Sequence, residues 1–133
     1  SGYREYGRQN VVRAEGKNDL LGSADRTFHG DPDRWNPEEL LLAALSQCHL
    51  LSYLHVAVQH GVVVTAYEDA AVGTVQQDGG IGGQFTSVTL RPIVTLADPS
   101  QAQLANSLHQ EASESCFIAR SVNFPVKHEP TAQ

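Results

Sequence analysis

The sequence predicts an α+β fold, on three observations. Segments rich in valine and threonine are punctuated by glycine turns, one long stretch is apolar around nearly the whole circumference of a helix, and the elements show no regular βαβ alternation. The expected order is β, β, α, β, β, α, β in a single domain over 1–133. A chain of 133 residues, 41% hydrophobic, supports one core and leaves little room for two.

From Tyr3 to Ala24 the apolar points Val11, Val12, Leu20 and Leu21, with Gly7, Gly16 and Gly22 between them, predict two antiparallel strands. A third short β-like piece is expected at Arg26 to Phe28, before the turn-rich stretch His29-Gly-Asp-Pro-Asp-Arg-Trp. Asn36-Pro37-Glu38-Glu39 then reads as a helix start: an Asn cap, proline in the first helical position, and two carboxylates at the positive end of the dipole. Trp35 is expected to act as a hydrophobic staple on Leu40 or Leu41. The helix runs to Gln59 or His60, where Gly61 is placed to end it in a left-handed turn. Its apolar residues leave almost no polar stripe, so it is expected to be central. At about 34 Å over roughly 23 residues, it suits a shared subunit interface.

Val62 to Val75 and Gln84 to Leu96 predict two strands of a hairpin joined by Gln77-Asp-Gly-Gly-Ile-Gly-Gly. Those glycines precede a strand rather than a helix, which argues against a phosphate cradle. Asp98-Pro99 repeats the cap-plus-proline signal, and Ala102, Ala105, Leu108 and Ala112 mark one face of a second helix. Cys116 to Arg120 predicts a short helix, and Asn123 to Glu129 a last strand.

Composition excludes several function classes. The net charge of −6 comes from scattered acids, so a phosphate-binding surface has no electrostatic support and no nucleic-acid partner is expected. No run of about 18 consecutive apolar residues occurs, and Ser1 to Arg8 lack a signal-peptide core; a soluble cytoplasmic protein with no membrane partner is the expectation. The six histidines, at 29, 49, 55, 60, 109 and 128, contain no pair at i,i+3 or i,i+4, so no zinc site is written locally and no metal is expected. Ser46 lacks a Gly-x-Ser-x-Gly elbow.

The two cysteines are too few for a disulfide scaffold and wrongly spaced for a CxxC motif. Cys48 falls in the middle of the long helix, whereas Cys116 follows a break and is expected in the first turn of a short helix. The helix dipole favours a thiolate at Cys116 and does little for Cys48, which needs a side-chain partner. Arg26, Arg34 and Glu38 are the candidates. Glu38 lies about 15 Å from Cys48 along an unbroken helix, so it reaches that cysteine only across a dimer interface or if the helix is broken.

The stretch Asn36-Pro-Glu-Glu-Leu-Leu-Leu-Ala-Ala-Leu-Ser-Gln-Cys-His resembles the central-helix motif of the OsmC/Ohr family, the osmotically inducible protein C and organic hydroperoxide resistance proteins. A second cysteine after a helix and before a terminal strand also matches that layout. The resemblance implies an OsmC-like fold, antiparallel sheets around the long helix, and an intertwined homodimer with active sites at the interface. It further implies a thiol peroxidase of the oxidative-stress response that needs no metal or organic cofactor. Cys48 would attack an organic hydroperoxide, Cys116 would close a disulfide on the resulting sulfenic acid, and a dithiol or lipoyl-type reductant would reopen it. Glu38 matches the family's glutamate; for its arginine, Arg26 fits best and Arg34 is the alternative. His49 departs from the pattern, standing where an aromatic residue such as Phe is common. It is either a base behind the cysteine or a helix surface residue. A reading from another class is a non-catalytic dimer that holds a small apolar ligand at the subunit interface.

Overall fold

The computed structural model describes residues 2–80 and 82–133. They form two compact units, Ser1–Leu41 and Leu42–Gln133.

In the first unit, β1 (Asn10–Val12) and β2 (Leu20–Gly22) pair antiparallel as expected, with Val11 opposite Leu21. The backbone of Trp35 joins this ribbon: its N–H donates to the Leu21 carbonyl at 3.1 Å, and its own carbonyl accepts from Ser23 N at 2.7 Å. Trp35 is 48% exposed. Arg26–Phe28 is a single 3-10 turn rather than a strand. The Asp25 carboxylate accepts from Thr27 N at 2.8 Å, a local bond that competes with strand pairing. Gly30 is required here, because a Cβ on it would lie 1.7 Å from the Ala24 carbonyl oxygen.

Helix α1 (Pro37–Gln59) starts and ends where its sequence signals stand. Asn36 Oδ1 accepts from Glu39 N at 2.8 Å, while Glu39 Oε1 accepts from Asn36 N at 3.3 Å, a reciprocal capping box. Gly61 follows with φ of 71°, the left-handed conformation that glycine adopts without a Cβ clash. By length and composition α1 is apolar enough to cross a bilayer. Ser46, Gln47, His49, Ser52 and His55 interrupt its apolar residues, however, and one stripe of it is packed in protein. That stripe is Leu45, His49, Tyr53, Val56 and Ala57; Leu51 and Val58 on the remaining surface are 61% and 77% exposed.

In the second unit the predicted long hairpin is divided. Instead of two strands there are four, β3 (Val64–Asp69), β4 (Val72–Gln77), β5 (Gly83–Leu90) and β6 (Pro92–Leu96). β4 pairs with β5, and β3 pairs with β6 in a separate sheet. Both arms turn at one level, where Asp69 faces Pro92 and Val72 faces Thr89. Pro92 has no N–H for a continuous ladder. At that corner the Asp69 carboxylate accepts from Arg91 N at 2.6 Å and from Ser46 Oγ of α1 at 2.5 Å.

Asp98 caps a 3-10 turn, Pro99–Gln101, that leads into α2 (Ala102–Glu114). Beyond Cys116 the expected short helix is reduced to a 3-10 turn, Ala119–Ser121. The terminal stretch gives two strands instead of one, β7 (Val126–His128) beside β5 and β8 (Thr131–Ala132) beside β6, both parallel to their neighbours. Each three-stranded sheet is thus an antiparallel pair with one parallel strand added. The core joins Tyr53, Val56 and Ala57 of α1 to Val94 and Leu96 of β6 and to Ala105, Leu108 and Ala112 of α2.

Candidate functional site

Cys48 lies on α1 and is partly exposed; Cys116 lies two residues beyond α2 and is 1% exposed. Both are free thiols, and folding brings them together: the Cys48 side chain is close enough to act on the ionisation of Cys116. Burial first, and that contact second, hold the Cys116 thiol above its ordinary pKa. Working the other way, Ala119 N donates to Cys116 Sγ at 3.5 Å. Burial thus favours the protonated form of the Cys116 sulfur. The backbone ties Cys116 closely to the end of α2, through Ser115 N to Ala112 O at 3.2 Å and Cys116 N to Ser113 O at 3.3 Å.

The residue after Cys48 faces a different environment. His49 is 1% exposed, so it is not a helix surface residue. Its Nε2 lies 2.9 Å from Nδ1 of His109 on α2, itself 3% exposed. His128 on β7 packs its ring 4.4 Å from that of His49, and Tyr53 stacks on His109 at 4.1 Å. The Tyr53 hydroxyl donates to the Ala105 carbonyl at 2.8 Å. His49 Nδ1, His109 Nε2 and the Tyr67 hydroxyl are buried without a hydrogen-bond partner. Burial, then the neighbouring imidazoles, push the pKa of His49 down to about 3. Burial, then His128, pushes that of His109 down to about 4. His128 is lowered by burial, with Asp69 partly opposing the shift. All three rings are neutral at neutral pH. Among the described residues no group of three or more His, Cys, Asp or Glu side chains has a geometry that holds a metal ion.

Sequence reasoning misses this imidazole cluster, because its members come from three distant elements and helical spacing relates only residues near in sequence. One signal was present. His49 stands four residues from both Leu45 and Tyr53 and His109 four from Ala105, so both occupy core stripes of their helices.

Glu38 lines a cleft of about 270 Å³ in the first unit, shared with Arg8, Asn10, Asp25 and Phe28. Its Oε2 is buried without a partner. Arg26 is exposed on its 3-10 turn, and Arg34 donates to the carbonyls of Asn10 and Gly22 at 3.3 and 3.4 Å. Among the described residues neither forms an ion pair with Glu38. Arg8, which the sequence reading passed over, is the arginine of that cleft; its guanidinium lies 3.8 Å from the Tyr6 ring centroid. A larger cleft of about 400 Å³ lies at the hairpin tip, lined by Gln76, Gln77, Asp78 and Gln84, and contains no thiol.

Comparison with known proteins identifies the fold and the family. Residues 30–131 match the family model described as OsmC-like protein. An OsmC-like protein of unknown function from Vibrio cholerae is 33% identical, with 95% of this chain and 86% of that chain covered and a TM-score of 0.84. An organic hydroperoxide resistance protein from Elizabethkingia anophelis, solved with thiocyanate bound, shares the fold at 20% identity, with 95% and 90% covered and a TM-score of 0.75. One from Legionella pneumophila shares it at 18% identity, with 94% and 96% covered and a TM-score of 0.63. No match is found among the curated proteins. With the α+β architecture, the long helix and the family model in agreement over most of its length, the chain belongs to the OsmC-like family, which includes the organic hydroperoxide resistance proteins.

Proposed function

We propose that this protein is a thiol-dependent reductase of organic hydroperoxides, acting as a single-domain protomer of a homodimer without a metal or organic cofactor. The observation that carries the reading is the pairing of two free thiols from remote parts of the chain, one partly exposed and the other buried and protonated. The Cys48 thiolate attacks the peroxide oxygen, the O–O bond breaks, and the alkoxide takes a proton and leaves as the alcohol. Cys48 is left as a sulfenic acid. The Cys116 sulfur displaces its hydroxyl, closing a disulfide and releasing water. A dithiol or lipoyl-type donor then returns two electrons and two protons.

The homodimer is supported by the apolar surface that α1 leaves uncovered, with Leu51 and Val58 exposed. Phe117, next to Cys116 and 79% exposed, adds to it. Glu38, with its orphaned carboxylate oxygen, is the proposed orienter of an arginine beside Cys48, with Arg26 and Arg34 as the sequence candidates and Arg8 as the one that shares its cleft.

The test is reaction with cumene hydroperoxide. The expected result is loss of two thiols per chain and one alcohol formed, abolished by Cys48→Ser. In Cys116→Ser a sulfenic acid should accumulate that dimedone traps. Unchanged thiol content in the wild-type chain would overturn the proposal, and saturable binding of an apolar probe in its place would favour a non-catalytic binding dimer.

A further inference from the structure

The buried imidazole pair lies between the two elements that carry the cysteines. Cys48 and His49 are consecutive on α1, so their side chains leave the helix about 100° apart, one toward Cys116 and the other toward His109. His109 and Cys116 are seven residues apart, about two turns, and the last of these residues are held to α2 by the Ser115 and Cys116 backbone bonds. The His49–His109 bond thus joins the two chain segments one residue from the first sulfur and two turns from the second. We propose that His49 and His109 are positioning residues, whose direct hydrogen bond holds α1 against α2 at the spacing that lets Cys48 and Cys116 form a disulfide.

Between two neutral rings the bond has one donor and one acceptor. One nitrogen must carry the hydrogen and the other the lone pair, so the tautomer of each ring fixes that of its partner. The outer nitrogens, His49 Nδ1 and His109 Nε2, have no partners, so the contact between the rings is the one polar bond that these two side chains make among the described residues. An apolar residue at 109 fills space but leaves His49 Nε2 unpaired as well. Asparagine is different: its side-chain amide occupies nearly the position of imidazole Nδ1 and restores a bond to His49.

The inference concerns the site of the proposed peroxidase, but its test does not require peroxide. The full-length protein is equilibrated with reduced and oxidised glutathione. Two electrons pass from the Cys48 and Cys116 sulfurs to glutathione disulfide, and their protons end on two molecules of glutathione. The equilibrium constant gives the effective concentration of one thiol at the other. His109→Leu is expected to lower it about tenfold, the equivalent of one hydrogen bond, and His109→Asn to keep it within about twofold of wild type. Leu96→Ala, a core truncation on β6, is expected to lower the unfolding temperature without moving the effective concentration. With peroxide, His109→Leu should form the Cys48 sulfenic acid at the wild-type rate and convert it to disulfide more slowly. An unchanged effective concentration in His109→Leu, or an equal loss in Leu96→Ala, overturns the positioning role. Unchanged thiol content of the wild-type protein with peroxide, together with no trappable sulfenic acid in Cys116→Ser, overturns the peroxidase reading instead and leaves the glutathione result to stand by itself.

Discussion

Acidification should unfold this protein through its buried imidazoles. His49 and His109 stay neutral in the folded chain down to about 3 and about 4, whereas histidines of an unfolded chain take up protons near pH 6.5. A base whose folded pKa is depressed binds its proton only on unfolding. The contribution of the pair is therefore complete above about pH 6.5 and is lost as the pH falls from there toward the folded values. Between about pH 6 and 5 two protons separate the states, and the free energy of unfolding should fall by roughly 2.5 kcal/mol per pH unit. His128, also lowered, adds to the slope with the same sign, while Asp69, facing it, opposes part of that shift. Tyr53 and Tyr67, the other ionisable groups against the cluster, have raised pKa values and stay neutral throughout. Set against a typical total stability of about 5–15 kcal/mol, this slope brings unfolding within reach before about pH 4. Urea unfolding in a pH series at fixed protein concentration measures it. A slope below about 1.4 kcal/mol per unit over that window, less than one proton, would refute the assignment of two buried neutral rings. His109→Asn, which keeps the bond but cannot titrate, should remove about half of the slope.

Two other outcomes follow from the geometry. Iodoacetamide should label Cys48 well before Cys116, because Cys116 is 1% exposed and its pKa is raised; peptide mapping that finds Cys116 modified first would reverse the roles given to the two sulfurs. Asn36→Ala removes the acceptor for Glu39 N at the start of α1 and should cost about 1 kcal/mol in urea unfolding, whereas Asn36→Asp should retain most of it.

Much of the scaffold was legible because its signals are local. The Asn36-Pro37-Glu38-Glu39 start and the Gly61 stop lie within a few residues of the bonds they make, and the ribbon of β1 and β2 follows from its apolar points and glycines. The division of the long hairpin into two sheets was not read, although Pro92 marks the corner, because a proline says where a ladder is interrupted and not which strands pair on either side. The third β-like piece expected at Arg26 to Phe28 is a 3-10 turn for a similar reason: Asp25 captures the backbone locally, a competition that strand propensity does not register. Residue type and family pattern single out the cysteines, but their proximity is tertiary. So is the convergence of His49, His109 and His128; only the burial of His49 and His109 is hinted at, by their places in the apolar stripes of their helices.

The bent hairpin also changes what its glycine-rich end has to do. In an ordinary two-stranded ribbon the loop sets the alignment of the arms, and one added residue exchanges inner and outer faces along their length. Here the alignment is fastened midway, where Asp69 accepts from the Arg91 amide and Ser46 anchors the same carboxylate to α1. The shift in pairing between Thr74 and Val75 absorbs irregularity on the distal side of that fastening. Peptide spliced in near Gly79 and Gly80 therefore hangs from a frame already indexed elsewhere, which makes this end a natural place for a reporter sequence that leaves the sulfur chemistry undisturbed.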